Sequence, residues 1–248
     1  ARPRSHGCRP QSPSRRLRLI ESLFEQWDRS PGQVRDMSDD LMRLTLWVVG
    51  AAMFDSDFRA EAEAIGECLE TCLTVATRQV MSMGLYRRWM PTLGNYRIRR
   101  AERTLDEIVQ GLVMRARKGE LRAPSVLSRL VLAADEATGS MMSDRQLLDE
   151  VKSIISAGHE TTSLALAWAL YVLQAHPEVE AGIAREAERV LGDEPPTAEH
   201  VPQLVYTRQV LLETMRLYPP VPAVTRDVRV DDALPGGVRL SAGQKVIV

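Results

Sequence analysis

Residues 151–173 read VKSIISAGHETTSLALAWALYVL. The flanks of this stretch carry the apolar repeat of a long buried helix, and its centre, AGHETTSLAL (157–166), breaks it. Val151, Ile154, Ile155, Gly158, Thr162 and Ala165 follow the i, i+3, i+4, i+7 spacing that turns one stripe of a helix to a core. Within that centre, Gly158 costs up to ~1 kcal/mol relative to alanine. Thr161 and Thr162 are β-branched, and hydroxyls at such positions bond back to carbonyls one turn earlier, loosening the ladder. Glu160 is costly if buried without a hydrogen bond or a proton. Violations clustered inside an otherwise consistent helix are the pattern of a functional site. A carboxyl beside a hydroxyl, next to a glycine gap, is a set that opens a groove, holds a water and passes protons to a bound molecule. On these residues alone, a core helix whose polar groups are satisfied by neighbours explains the pattern equally well. A zinc protease is excluded, because His159-Glu160 begins an H-E-x-x-H motif but position 163 is serine.

Outward from this stretch, Ser143 with Gln146 three residues on is a capping-box pair, and Pro177 closes the far end, so the central helix is expected over 143–175. HPEVEAGIAREAERVLGD (176–193) reads as a charged surface helix, and VPQLVYTRQVLLETMRLYPP as an amphipathic one over 201–218. Upstream, helices are expected over 17–27, from Ser38 as N-cap through MSDDLMRLTLWVVGAAMF, and over 59–83, 95–118 and 125–135. After residue 222 the period changes. AVTRDVRV alternates, PGG makes a turn and KVIV reads as a strand, so β strands are expected over 223–248. A strand at the last residue leads us to expect a chain cut in mid-fold.

The 248 residues carry a formal net charge of −1, which gives no electrostatic argument for binding nucleic acid or a membrane surface. No stretch reaches the ~18 uncharged apolar residues of a membrane span, because Lys152, His159 and Glu160 interrupt the longest one. Cys8, Cys68 and Cys72 are too few and too scattered for a zinc site, and read as reduced thiols of a cytoplasmic protein. Residues 1–16 are rich in arginine and proline without an acid, and are expected to form a disordered arm rather than a transit peptide.

A second motif raises the functional reading of the first. In LLETMRLYPPVPAVTR (211–226), Glu213 and Arg216 lie three apart on one helix face, where a pair is worth only ~0.2–0.5 kcal/mol. Pro219 then ends the helix, because it drives Tyr218 out of the α region. Alone, E-x-x-R is commonplace. Together and in this order, the two segments resemble the cytochrome P-450 family of haem-thiolate monooxygenases. That family's central helix carries [AG]-G-x-[DE]-T-[TS], matched by Ala157 through Thr162, and its E-x-x-R helix continues into R-L-Y-P-P-V-P, matched at 216–222. The resemblance spans residue 17 to the end.

The resemblance implies a mainly α fold of the P-450 type, here incomplete, with a small β-sheet near the C-terminal end. It implies haem as cofactor, with O2, an apolar small-molecule substrate and a ferredoxin- or flavoprotein-type electron donor as partners. Glu160 and Thr161 match the acid–alcohol pair that delivers protons for heterolytic O–O cleavage. Ala157 and Gly158 match small positions beside the oxygen site. Glu213 and Arg216 match a structural pair beneath the haem. Arg226 matches a propionate ligand, a role suited to its fork of donors, and an exposed strand arginine is the alternative. Val221 to Val224 would border the substrate.

Two features of the family are missing. The iron is held by a cysteine in a Phe-x-x-Gly-x-x-x-Cys-x-Gly segment, and none of the three cysteines has that context. The axial cysteine is therefore expected beyond Val248. Nor does Trp27 have the Trp-x-x-x-Arg spacing of the helix that binds the propionates. The 248 residues are thus expected to be an inactive fragment of a monooxygenase. The alternative is a non-catalytic helical remnant or interaction protein.

Overall fold

The computed structural model of the chain describes residues 13–81, 90–121, 125–134 and 139–248. It is mainly helical. Eight α-helices among the described residues precede two small antiparallel sheets: α1 (Pro13–Asp28), α2 (Met37–Met53), α3 (Ala62–Met81), α4 (Leu93–Arg117), α5 (Val126–Leu132), α6 (Asp144–Gln174), α7 (Pro177–Leu191) and α8 (Val205–Leu217). A single 3-10 turn, Val201–Gln203, leads into α8.

Helix α1 begins at Pro13, so residues 13–16 of the expected arm are helical, while 1–12 lie outside the described residues. Proline is tolerated in a first helical turn, where its missing N–H has no intrahelical partner to lose. Arg15 then reaches Asp55 at 2.7 Å and ties this start to the loop after α2. The N-cap of α2 is Asp36 rather than Ser38: its Oδ1 accepts from Ser38 N at 2.9 Å and Asp39 N at 3.4 Å. Asp40 is buried and accepts from the Trp27 indole at 2.7 Å, which joins α1 to α2.

The core lies where α2 runs against α6, with α1, α3, α4 and α5 around them. Helix α6 is continuous from its capping box at Ser143, where Gln146 N meets Ser143 Oγ and Ser143 N meets Gln146 Oε1. The helix runs through Gly158 without a break. Its buried seam is Leu147, Val151, Ile155, His159 and Ser163, then Ala169. The expected stripe shared only Val151 and Ile155 with it; Thr162 is exposed and Ile154, Gly158 and Ala165 are half-buried. The observed residues step by four, as in an i±4n ridge laid along a neighbouring helix. Burying each of Leu147, Val151 and Ile155 contributes roughly 1.5–3 kcal/mol.

At the C-terminal end, β1 (Thr225–Asp227) pairs with β4 (Lys245–Ile247), with Arg226 opposite Val246. Between them, β2 (Asp232–Ala233) pairs with β3 (Arg239–Leu240) around the expected glycine turn, Gly236 and Gly237 at φ +99° and +85°. The strands are shorter than the alternating sequence suggested, and nearly every residue from 221 onward is exposed.

Candidate functional site

Gly158 of α6 packs directly against Val49 of α2. A Cβ built there would sit 3.1 Å from Val49 Cγ2, tighter than ordinary van der Waals contact. One residue on, His159 is buried at 4% exposure, and burial pushes its imidazole below the ordinary value of 6.5. Its Nδ1 has no hydrogen-bond partner among the described residues. The His159 carbonyl accepts from the Thr45 hydroxyl of α2 at 3.0 Å, an interaction that hydroxyl shares with the carbonyls of Leu41 and Met42 at the same distance.

The predicted residues flank this seam. Ala157, Thr161, Leu164 and Trp168 follow helical spacing along the face turned away from α2. Ala157 is exposed and Thr161 half-buried, and the Thr161 hydroxyl donates to the Ala157 carbonyl at 2.7 Å, the back-bond expected of it. Ser163 makes the same kind of bond to the Glu160 carbonyl at 2.8 Å. Glu160 is half-buried, so water relieves the burial cost feared from the sequence, and among the described residues its carboxylate accepts no hydrogen bond. Glu160 and Thr161 are neighbours on α6, but their side chains are not bonded to each other.

Glu213 and Arg216 do pair: Arg216 Nε donates to Oε2 at 2.7 Å and Nη2 to Oε1 at 2.6 Å. The Arg216 guanidinium holds the Glu213 carboxyl below its usual range, and the carboxylate raises Arg216 in turn. Both side chains are more than half exposed. The two motifs meet through residues that sequence reasoning missed. Tyr218, at the exit of α8, stacks on Trp168, two turns beyond Thr161 on the same face of α6, with centroids 4.5 Å apart and planes 13° apart. An aromatic at i+7 from Thr161, and another just after Arg216, was the available signal.

Arg226 lies apart from both, exposed on β1, where its guanidinium donates to the Thr225 carbonyl at 3.3 Å. Cys68 is buried and burial, with Glu67 nearby, pushes its thiol up; Cys72 is half-buried, and Cys8 lies outside the described residues. A cleft of about 710 Å³ between α1, α2 and α4, lined by Arg15, Arg18, Trp47, Asp55, Arg59 and Arg115, contains none of the predicted residues. Two of its arginines are already paired with carboxylates, Arg15 with Asp55 and Arg59 with Asp57, so the motif residues define the candidate site instead.

The sequence model described as cytochrome P450 matches residues 11–248, a span that includes both the AGHETT face and the E-x-x-R pair. The chain belongs to the cytochrome P450 family. It is 33% identical over 227 residues to cyclooctat-9-en-7-ol 5-monooxygenase of Streptomyces melanosporofaciens, covering 88% of this P450 chain and 47% of that protein. It is 31% identical over 238 residues to bifunctional cytochrome P450/NADPH–P450 reductase 2 of Bacillus subtilis (strain 168), covering 94% of the chain and 22% of that protein. The crystal structure of the cytochrome P450DA heme domain superposes with a TM-score of 0.80 at 26% identity, over 95% of this chain and 51% of that one. The P450 chain thus spans about half the length of the Streptomyces melanosporofaciens relative and less than a quarter of the bifunctional Bacillus subtilis one.

Members of the P450 family generally use haem, and the α6 face that carries Ala157 and Thr161 is turned away from the α2 seam. Ala157, one turn before Thr161, offers only a methyl, and Arg226 has no carboxylate partner among the described residues. Among the described residues Cys68 lies in the core and Cys72 is half-buried, and no group of three His, Cys, Asp or Glu side chains is placed to hold a metal ion. Nor is any described helix long and apolar enough to cross a membrane.

Proposed function

We propose that the chain is the central part of a haem-dependent monooxygenase that inserts one oxygen atom of O2 into an apolar organic substrate. The observation that carries this reading is the α6 face running from Ala157 through Thr161 to Trp168, where Tyr218 joins it to the E-x-x-R helix. Haem with a cysteine thiolate ligand supplies the oxygen activation in such enzymes. Ala157, exposed one turn before Thr161, carries only a methyl on that face. The Thr161 hydroxyl, both donor and acceptor, holds its proton on the Ala157 carbonyl and keeps its lone pairs for a proton arriving from solvent. Glu160, half-buried and without a protein hydrogen bond among the described residues, is the group that exchanges that proton with water. Arg226 would hold a propionate, residues 221–224 would border the substrate, and Glu213 with Arg216 would brace α8.

The Bacillus subtilis relative, whose name joins a P450 to an NADPH–P450 reductase, supports a reductase of flavoprotein type as electron donor, with a ferredoxin as the other candidate. A cytoplasmic location accords with the sparse, free cysteines. Because no cysteine of these 248 residues has the haem-ligand context, the chain by itself is inactive on this reading.

The test has two arms. The 248-residue chain, supplied with haem, reduced and exposed to CO, should not give the red-shifted Soret band of a haem thiolate; its appearance would overturn the inactivity. Residues 13–248 grafted into the frame of the Streptomyces melanosporofaciens relative should restore that band and turnover. In that graft Thr161→Ala should lower product formed per electron pair by about 100-fold, the lower range for a positioned proton donor. Turnover unchanged by Thr161→Ala sinks the relay, and a graft that folds without haem supports the non-catalytic helical alternative.

A further inference from the structure

Helix α8 starts without a cap of its own. Leu204 occupies the N-cap position and has no side chain able to accept from the first-turn amides. An uncapped helix start leaves backbone N–H groups unsatisfied, at a cost that matters most where the end is not freely solvated. The acceptor comes from a different helix. Glu186 of α7 is buried at 6% exposure, and its Oε1 accepts from Tyr206 N at 2.8 Å. Its Oε2 accepts from Thr207 N at 2.8 Å and from the Thr207 hydroxyl at 2.9 Å. Arg189 stands at 3.8 Å as a distant counter-charge. Burial works against the charged form, yet the amides of Thr207 and Tyr206 and the Thr207 hydroxyl outweigh it, and the carboxyl is held below its usual range. The sequence had suggested a solvated surface helix here. Glu186 faces inward because the positive end of α8 points at it.

The contact is also sterically keyed. A Cβ built at Gly182, one turn before Glu186, would meet Tyr206 Cε1 at 2.5 Å. The absence of a side chain at 182 lets the first turn of α8 close onto α7, bringing Tyr206 N to Glu186. At its other end α8 is held by the Trp168–Tyr218 stack.

We propose that Glu186 is a positioning residue: it caps α8 from α7, and so fixes the axial placement of the helix that carries Glu213 and Arg216. The consequence for that pair in an active enzyme rests on the monooxygenase reading; the capping itself does not, and it is read without haem. The test is residue-resolved amide hydrogen exchange on the 248-residue chain. Glu186→Gln keeps the shape but turns an amide –NH2 toward N–H donors. It should lower protection at Tyr206, Thr207 and the following turn of α8 by about tenfold or more, as expected for loss of charge-assisted bonds. Amides of Thr45 and Ile155 in the α2–α6 core should stay as they are. Thr207→Val, which removes only the hydroxyl donor, should give a smaller loss confined to α8. Leu204→Asp, added to Glu186→Gln, should restore protection, because it provides in the helix itself the cap that α7 had supplied.

Unchanged α8 protection in Glu186→Gln overturns the proposal. So does an equal loss across α2, α6 and α8, which would mark Glu186 as a general core group. Failure of Leu204→Asp to restore α8 in a chain whose α2–α6 core remains protected also overturns it.

Discussion

Trp168 and Tyr218 stack with centroids 4.5 Å apart and planes 13° from parallel, joining the C-terminal part of α6 to the exit of α8 across fifty residues of sequence. Tyr218 is held there by chain geometry as much as by attraction. Pro219 keeps it out of the α conformation, and its φ of −129° with ψ of 71° swings the ring off the axis of α8. Trp168 is further supported by Tyr171, edge-on at 5.7 Å.

Removing the indole should therefore loosen α8 more than its partial exposure suggests. Trp168→Ala is expected to cost about 1–2 kcal/mol, a stacked pair contributing ~0.5–1.5 kcal/mol beyond its area. Tyr218→Phe, which keeps the ring, should be nearly neutral. Urea unfolding of both variants measures the difference, and equal effects would count against the stack.

The two possible seams of α6 give opposite expectations. Ile155 is fully buried while Thr162 is exposed. Ile155→Ala should cost about 2–4 kcal/mol through lost transfer energy and a residual cavity. Thr162→Ala should stay within about 0.5 kcal/mol of the parent. The reverse order would restore the stripe first read from the sequence.

At the crossing of α2 and α6, Gly158→Val should destabilise by about 1–3 kcal/mol, because Val49 is itself buried and has little room to yield. Val49→Ala in the same chain should recover part of that loss. A double-mutant cycle measures the coupling, and strict additivity of the two changes would contradict the contact.

His159 gives the fold an acid-side slope. Its folded pKa lies below the ordinary 6.5 because the ring is buried, so below that pH the unfolded chain takes up a proton that the folded chain resists. Stability from this group is therefore full above about pH 6.5 and falls as the pH drops toward the depressed folded value. His159→Gln should flatten that portion of the stability profile, which denaturant titrations across the range will measure. A profile identical to the parent's would mean that His159 is protonated alike in both states.

Much of the architecture was legible. Features written in local chemistry, such as the Ser143–Gln146 capping box and the Gly236–Gly237 turn, stand where the residues predicted them. The motif residues lie on the expected helices, α6 and α8. What could not be read was set between elements. Gly158, Thr162 and Ala165 fit a helical stripe as well as His159 and Ser163 do, and only the placement of α2 decides which set is buried. Asp36 displaced Ser38 as a cap because both are good cap residues two positions apart. Glu186 looked solvated because its partners, the amides of Tyr206 and Thr207, are backbone groups that carry no sequence signature.

The bonds from Glu186 to the start of α8 also bear on how this region tolerates change in length. With α8 held through space by α7, and led in by the Val201–Gln203 turn and Leu204, the exposed stretch 192–196 does not set where α8 begins. It is a tether, and closing a longer tether costs little, about 0.6 kcal/mol for each doubling. Insertions and deletions should therefore accumulate there in preference to the Glu186-to-Thr207 contact, giving a variable spacer between two helices whose relation stays constant.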